Sequence, residues 1–212
     1  MKKTTRYIAS FLAGAMMLGS LTACGKEASV GSDGSGKTET FVITLYPDVA
    51  PITCENFENL VSDGFYDGLT FHRVVDNFMA QGGDPNGNGT GGSAENIKGE
   101  FSGNGVTNNL SHQRGVVSMA RSQDPDSASS QFFICYTDCS FLDGQYASFG
   151  EVTEGMEVID SFLQVERTYG GDGAISAPTS PIKIASAEMI EDDSDGNPRV
   201  QFTMNEIPVA KK

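Results

Sequence analysis

The chain has 212 residues, 38% of them hydrophobic, which suits one domain with appendages around a single apolar core. Its formal charge is −14; the first 23 residues hold Lys2, Lys3 and Arg6 and no acid, so the remainder carries −17. A surface that acidic repels phosphate backbones and excludes nucleic acid as a partner. Tryptophan is absent, so thirteen phenylalanines and six tyrosines must supply the aromatic packing.

Residues 1–23 combine a basic start, an apolar run from Tyr7 to Leu18 and a small-residue end, the architecture of a secretory signal. The run is too short and too interrupted for a membrane span. Its end, Leu21-Thr22-Ala23-Cys24, resembles a bacterial lipobox. That resemblance implies a diacylglyceryl group on Cys24 and cleavage just before it. Two acyl chains suffice for stable anchoring, so the expected location is extracytoplasmic, lipid-anchored to the cell membrane. The competing reading is an ordinary secreted protein whose first cysteine falls there by chance. Residues 24–39 then hold the lipidated cysteine and a Gly/Ser-rich flexible tether. Its average reach is roughly 20 Å by random-coil scaling. Three further cysteines, Cys54, Cys135 and Cys139, cannot all pair within one chain. Cys54 and Cys135 read as small buried apolar residues, and a Cys135–Cys139 bridge stays open in an exported protein.

The first predicted strand is Phe41 to Tyr46, stopped by Pro47. A helix follows over Pro51–Val61, with Ile52, Phe57, Leu60 and Val61 on one face and Asp63-Gly64 ending it. Further short strands are predicted over Leu69–Val75, Gly115–Ala120, Gln131–Cys135 and Ala147–Val152. Met156, Ile159, Phe162 and Leu163 form a second helical stripe, and Ile182, Ile184 and Ala187 mark a closing strand. Residues 191–212 open on an acidic run, and Val200–Met204 would add an edge strand. Many short strands, glycine turns and two helices make a mainly β domain. The pattern alone does not separate a closed barrel from a sandwich.

Two motifs in the glycine loop are decoys. Asp84-Pro85-Asn86-Gly87-Asn88-Gly89 with Glu95 matches a calcium loop by letter, yet its flanks form no helices and Gly91 fills the apolar position. Gly87, Gly89 and Gly92 have dinucleotide-loop spacing but open no helix. The two histidines are far apart in sequence and there is no paired CxxC, so no metal is expected.

Two blocks carry most of the information. The first is Phe71-His72-Arg73-Val74-Val75 with Phe78-Met79-Ala80-Gln81-Gly82-Gly83-Asp84. The second is Ser118-Met119-Ala120-Arg121 with Ser130-Gln131-Phe132-Phe133-Ile134. Over residues 40–190 the chain resembles the cyclophilin family of peptidyl-prolyl isomerases. That resemblance implies a closed eight-stranded antiparallel β-barrel capped by two α-helices, with the active site on its outer face. It implies an enzyme for X–Pro bonds in unfolded or partly folded polypeptides, without cofactor or metal. A monomer and, at most, weak cyclosporin-like ligands are expected.

Rotating an X–Pro bond means twisting a partial double bond with a barrier of about 18–20 kcal/mol. No bond breaks, so no nucleophile is needed. A fixed cation that donates to the prolyl nitrogen as it becomes pyramidal weakens the amide resonance. Guanidinium suits this, being always charged and forked, and the resemblance places Arg73 there. Gln81 matches the family glutamine that contacts substrate backbone. Phe78, Met79, Phe133 and Leu142 match the proline pocket. Ala120, Arg121 and Gln131 match the edge where the peptide lies. Strand alternation turns His72 away from Arg73, and His112 reads as a polar turn residue.

Three positions depart from the family. Phe141 stands where many eukaryotic members have tryptophan, Tyr146 replaces a histidine, and Arg121 replaces an asparagine. Phenylalanine lacks the indole N–H donor, which weakens the case for tight cyclosporin binding. The rival readings are a proline-peptide receptor or chaperone with little turnover, disfavoured by the intact Arg73 and Gln81, and a solute-binding lipoprotein, whose two-domain α/β pattern is missing.

Overall fold

The computed structural model describes residues 39–209. The expected signal segment, Cys24 and the tether up to residue 38 lie outside the described residues. In chain order the elements are β1 (Glu39–Leu45), α1 (Pro51–Ser62), β2 (Thr70–Val75), β3 (Met79–Asp84), β4 (Val116–Met119), β5 (Phe132–Cys135), β6 (Ser148–Glu154), α2 (Met156–Ser161), β7 (Arg167–Tyr169), β8 (Ile175–Pro178), β9 (Ile182–Ile190) and β10 (Arg199–Met204).

Eight strands close into an antiparallel barrel in the order β1-β10-β9-β2-β3-β5-β4-β6, and β6 returns to β1. This resolves the barrel-or-sandwich ambiguity. β7 and β8 form a separate hairpin. β10 corrects the expectation of an edge strand in an acidic extension. It lies between β1 and β9, with Glu39 opposite Met204 and Val200 opposite Met189. Val200, Phe202 and Met204 point inward and are fully buried. An edge and an interior strand share the same alternating pattern, so sequence could not tell them apart.

The phenylalanines fill the space a tryptophan-free core leaves. Phe41 and Phe202 stack at 5.0 Å. Phe57 of α1 packs on Tyr66, Phe132 and Phe149 at 5.0–5.4 Å. Phe162, in the 3-10 turn after α2, packs on Phe71 at 4.9 Å. Each such buried ring contributes about 1.5–3 kcal/mol relative to exposure.

Helix α1 begins at Pro51, whose missing N–H costs nothing at the first helical position. Its exposed donors are met by a distant residue. The buried Glu100 carboxylate accepts from the N–H of Ile52 (3.1 Å) and Thr53 (2.8 Å) and from the Thr53 hydroxyl (2.7 Å). At the other end Gly64 adopts φ +68°, and its N–H and that of Phe65 bond back to Val61 and Leu60.

Candidate active site

The register between β2 and β3 builds the site. Phe71 lies opposite Gly82 and Arg73 opposite Gln81, so His72 is an extra residue, a β-bulge. Here the expectation that His72 turns away from Arg73 fails: both line one cleft beside the β7–β8 hairpin. Phe71 points into the core. Neither ring nitrogen of His72 has a hydrogen-bond partner. Burial, aided by the neighbouring guanidinium and opposed by Asp84, lowers its pKa. The imidazole is thus neutral beside the arginine.

Arg73 is held from two sides. Its Nε donates to Asp172 at 2.7 Å, and its Nη1 donates to Gln81 Oε1 at 3.3 Å. Gln81 Nε2 donates to Gln131 at 2.9 Å, and Gln131 Nε2 to the Gly91 carbonyl at 2.7 Å. The guanidinium carbon lies 5.8 Å from the Phe78 ring centre.

Beside it opens a cleft of about 170 Å³, walled by Arg73, Phe78, Met79, Gln81, Ala120, Arg121, Phe133, Leu142 and Tyr146. These are the sequence-derived site residues except Gln131 and Phe141. Gln131 instead lines an adjoining polar cleft of about 370 Å³ against glycine loop 89–93. Phe141 is 65% exposed and stands at the rim, 5.8 Å from Phe78. Phe132 and Phe133 part as strand neighbours must: Phe132 is in the barrel core, and Phe133 packs outside with Met79, Cys135, Cys139 and Leu142. The Ala120 N–H bonds the Gln131 carbonyl, so it is not a donor for a peptide. Arg121 donates to the carbonyls of Gln145, Ser122 and Gln123 and lies over the Tyr146 and Phe101 rings at 4.7 and 5.2 Å. Its charge braces two loops.

His112 is a second correction. It is wholly buried, its Nδ1 2.7 Å from Asp143 and its Nε2 2.9 Å from Ser118, and it stacks behind Phe133 at 6.1 Å. Burial lowers its pKa against the pull of Asp143. The Asp–His–Ser order resembles a hydrolase triad, but Ser118 is fully buried and no substrate carbonyl reaches it. Cys135 and Cys139 are free thiols, not a bridge. Burial pushes Cys54 up to about 12 and raises Cys135 and Cys139, so none is a thiolate at neutral pH. The calcium-like loop is self-satisfied: Asp84 accepts from the N–H groups of Asn86, Asn88 and Gly89. Among the described residues no three His, Cys, Asp or Glu side chains converge as metal ligands. Asp172 had no signal in the sequence, where Gly170-Gly171-Asp172-Gly173 reads as a turn.

A closed barrel whose small cleft holds a guanidinium fixed from two sides beside aromatic and aliphatic walls is built to bind and twist rather than to cut. Residues 33–189 match the family model described as cyclophilin type peptidyl-prolyl cis-trans isomerase/CLD, and the chain belongs to that family. It is 44% identical over 157 residues to a peptidyl-prolyl cis-trans isomerase of Acinetobacter baylyi, covering 69% of this chain and 78% of the relative. It is 50% identical over 113 residues to peptidyl-prolyl cis-trans isomerase B of Bacillus subtilis, covering 53% and 76%. A crystal structure of a Cryptosporidium parvum cyclophilin type isomerase, determined in the presence of the dipeptide Ala-Pro, matches with TM-score 0.62 at 29% identity. That match covers 70% of this chain and 94% of that one. The protein is a peptidyl-prolyl cis-trans isomerase. β10 lies beyond the family-matched segment.

Proposed function

We propose that this isomerase accelerates the folding of exported polypeptides at the outer face of the membrane, anchored through Cys24, and that Arg73 is its catalytic cation. The observation that carries the second part is the guanidinium fixed at the mouth of the 170 Å³ cleft. A proline ring seats on Phe133, Met79, Leu142 and Phe78. Arg73 donates to the prolyl nitrogen as its lone pair leaves conjugation. Gln81 holds the flanking backbone. The barrier falls because the donor is in place before the amide twists. The anchoring part is supported by the basic start, apolar run and Leu-Thr-Ala-Cys ending of residues 1–24. Slow X–Pro isomerisation limits folding of many chains, and its catalysis needs no ATP.

The test is an isomerisation assay on a short X–Pro peptide. Arg73→Ala is expected to lower kcat/KM by about 10²–10³, the usual effect of removing one preorganised donor, with the melting temperature unchanged. A loss under about threefold in a folded variant removes Arg73 from the mechanism. Separately, Cys24→Ala should shift the protein from membrane to soluble fractions or leave an uncleaved precursor. An unmodified N-terminus downstream of Cys24, read by mass spectrometry, overturns the anchor.

A further inference from the structure

We infer that Asp172, at the tip of the β7–β8 hairpin, is a positioning residue that fixes the orientation of the Arg73 guanidinium. This rests on Arg73 being the catalytic cation. The carboxylate is divided between two tasks. Oδ1 accepts from the Ala174 N–H (3.0 Å) and the Ser176 hydroxyl (2.8 Å), which tie it to its own hairpin. Oδ2 accepts from Arg73 Nε at 2.7 Å. Burial would raise this carboxyl, but those three donors and the guanidinium charge outweigh it and bring the pKa to about 2. Asp172 is therefore an anion at any working pH.

The geometry assigns it a directional role. Nε is the guanidinium corner nearest the Arg73 backbone, so an acceptor there sets which way the rest of the fork points. Gln81 takes Nη1. Among the described residues Nη2 has no acceptor, which leaves it for the reacting amide. The pair is about a quarter to a third exposed, with side-chain values of 31% and 23%. An ion pair that open adds little to stability, so its value lies in orientation.

The hairpin is shaped around this carboxylate. A Cβ at Gly170 would collide with Ser176 Oγ and stand 3.0 Å from Asp172 Oδ1. The loop closes through Gly170 N–H to Ala174 O and Gly173 N–H to Gly170 O, with Gly173 at φ +75°. Two substitutions thus disturb the same contact differently: Asp172→Asn removes the charge, and Gly170→Ala keeps the charge but displaces it.

Both variants should lower kcat/KM by roughly three- to tenfold, a partial loss of the preorganised donor; for Asp172→Asn the melting temperature should stay within about 2–3 °C of wild type, the size expected of an open ion pair. Asp172→Glu should recover part of the rate. In an Arg73→Ala background Asp172→Asn should have no further effect, since the two act as a unit. The direct readout is the Arg73 Nε–H resonance in 15N-arginine-labelled protein. It should be protected from exchange in wild type and exchange freely in Asp172→Asn. A protected resonance in Asp172→Asn, or that variant at full activity while Arg73→Ala is inactive, overturns the inference. An active Arg73→Ala overturns the reading of Arg73 instead.

Discussion

Phe202→Ala tests the element that sequence placed at the margin. Phe202 is fully buried on β10 and stacks on Phe41 at 5.0 Å with planes 4° apart. Phe132, Tyr66 and Phe57 surround it at 5.8, 6.1 and 6.2 Å. Truncating a buried phenylalanine costs about 3–5 kcal/mol, more where neighbours cannot collapse into the gap. Here the neighbours are rigid rings held by the barrel wall, so the upper half of that range is expected, about 4–5 kcal/mol. For a domain of this size each kcal/mol moves the melting temperature by about 2–4 °C, a fall of roughly 8–20 °C. Urea unfolding followed by tyrosine emission and circular dichroism measures it. A stop codon after Pro198 is the sharper version: β1 and β9 lose their shared partner, and the chain should not fold. A truncated protein that melts cooperatively and still isomerises X–Pro peptides would refute the closed seam, as would a Phe202→Ala cost under about 1 kcal/mol.

Acid should destabilise the enzyme well before its carboxylates titrate. Burial lowers both His72 and His112, so below about 6.5 the unfolded chain takes up protons that the folded one refuses. Stability is complete above that pH and declines as pH falls from it, by at most about 1.4 kcal/mol per pH unit for each imidazole. Melting curves between pH 7.5 and 5 should show it, and His112→Gln should flatten the dependence; an equal slope in both proteins would mean His112 is not buried neutral. Phe141→Trp should tighten a cyclosporin-like ligand about two- to tenfold by adding a rim donor, the equivalent of 0.5–1.5 kcal/mol, with isomerase activity near wild type. Unchanged affinity by calorimetry would mean the exposed ring at position 141 does not meet the ligand.

What sequence disclosed and what it withheld divide along physical lines. Arg73, Phe78, Met79 and Phe133 were readable because they sit in long ordered motifs, and the structure gathers them around one cleft. β3 was not readable as a strand, since Gly82 and Gly83 carry no β preference; it forms because β2 and β5 pair with it on either side, and a Cβ at Gly82 would stand 3.1 Å from Phe71 and the Thr70 carbonyl. The bulge at His72 defeats the period-two rule on which its orientation was argued. His112 lies among Ser111, Gln113 and Arg114, and nothing in such a stretch announces burial. Asp172 reaches Arg73 across 99 residues of chain, a contact that no local pattern encodes.

The seam between β1 and β10 has a consequence for how the molecule comes into being. Glu39 faces Met204 across it, so the first strand to be made waits for the last. While the chain folds, β1 has β6 for a neighbour, but its other edge stays bare, as does one edge of β9, until residues 199–204 pair between them. Bare strand edges recruit other chains, and such distant pairing is slow to form. The entropic toll of the long loop itself grows only as (3/2)RT ln n. The vulnerable interval therefore lasts until residues 199–204 find their place, a kinetic matter rather than one of the final equilibrium. Refolding at rising chain concentration should expose those edges to neighbours and lower the yield of soluble enzyme, leaving the stability of the finished barrel untouched.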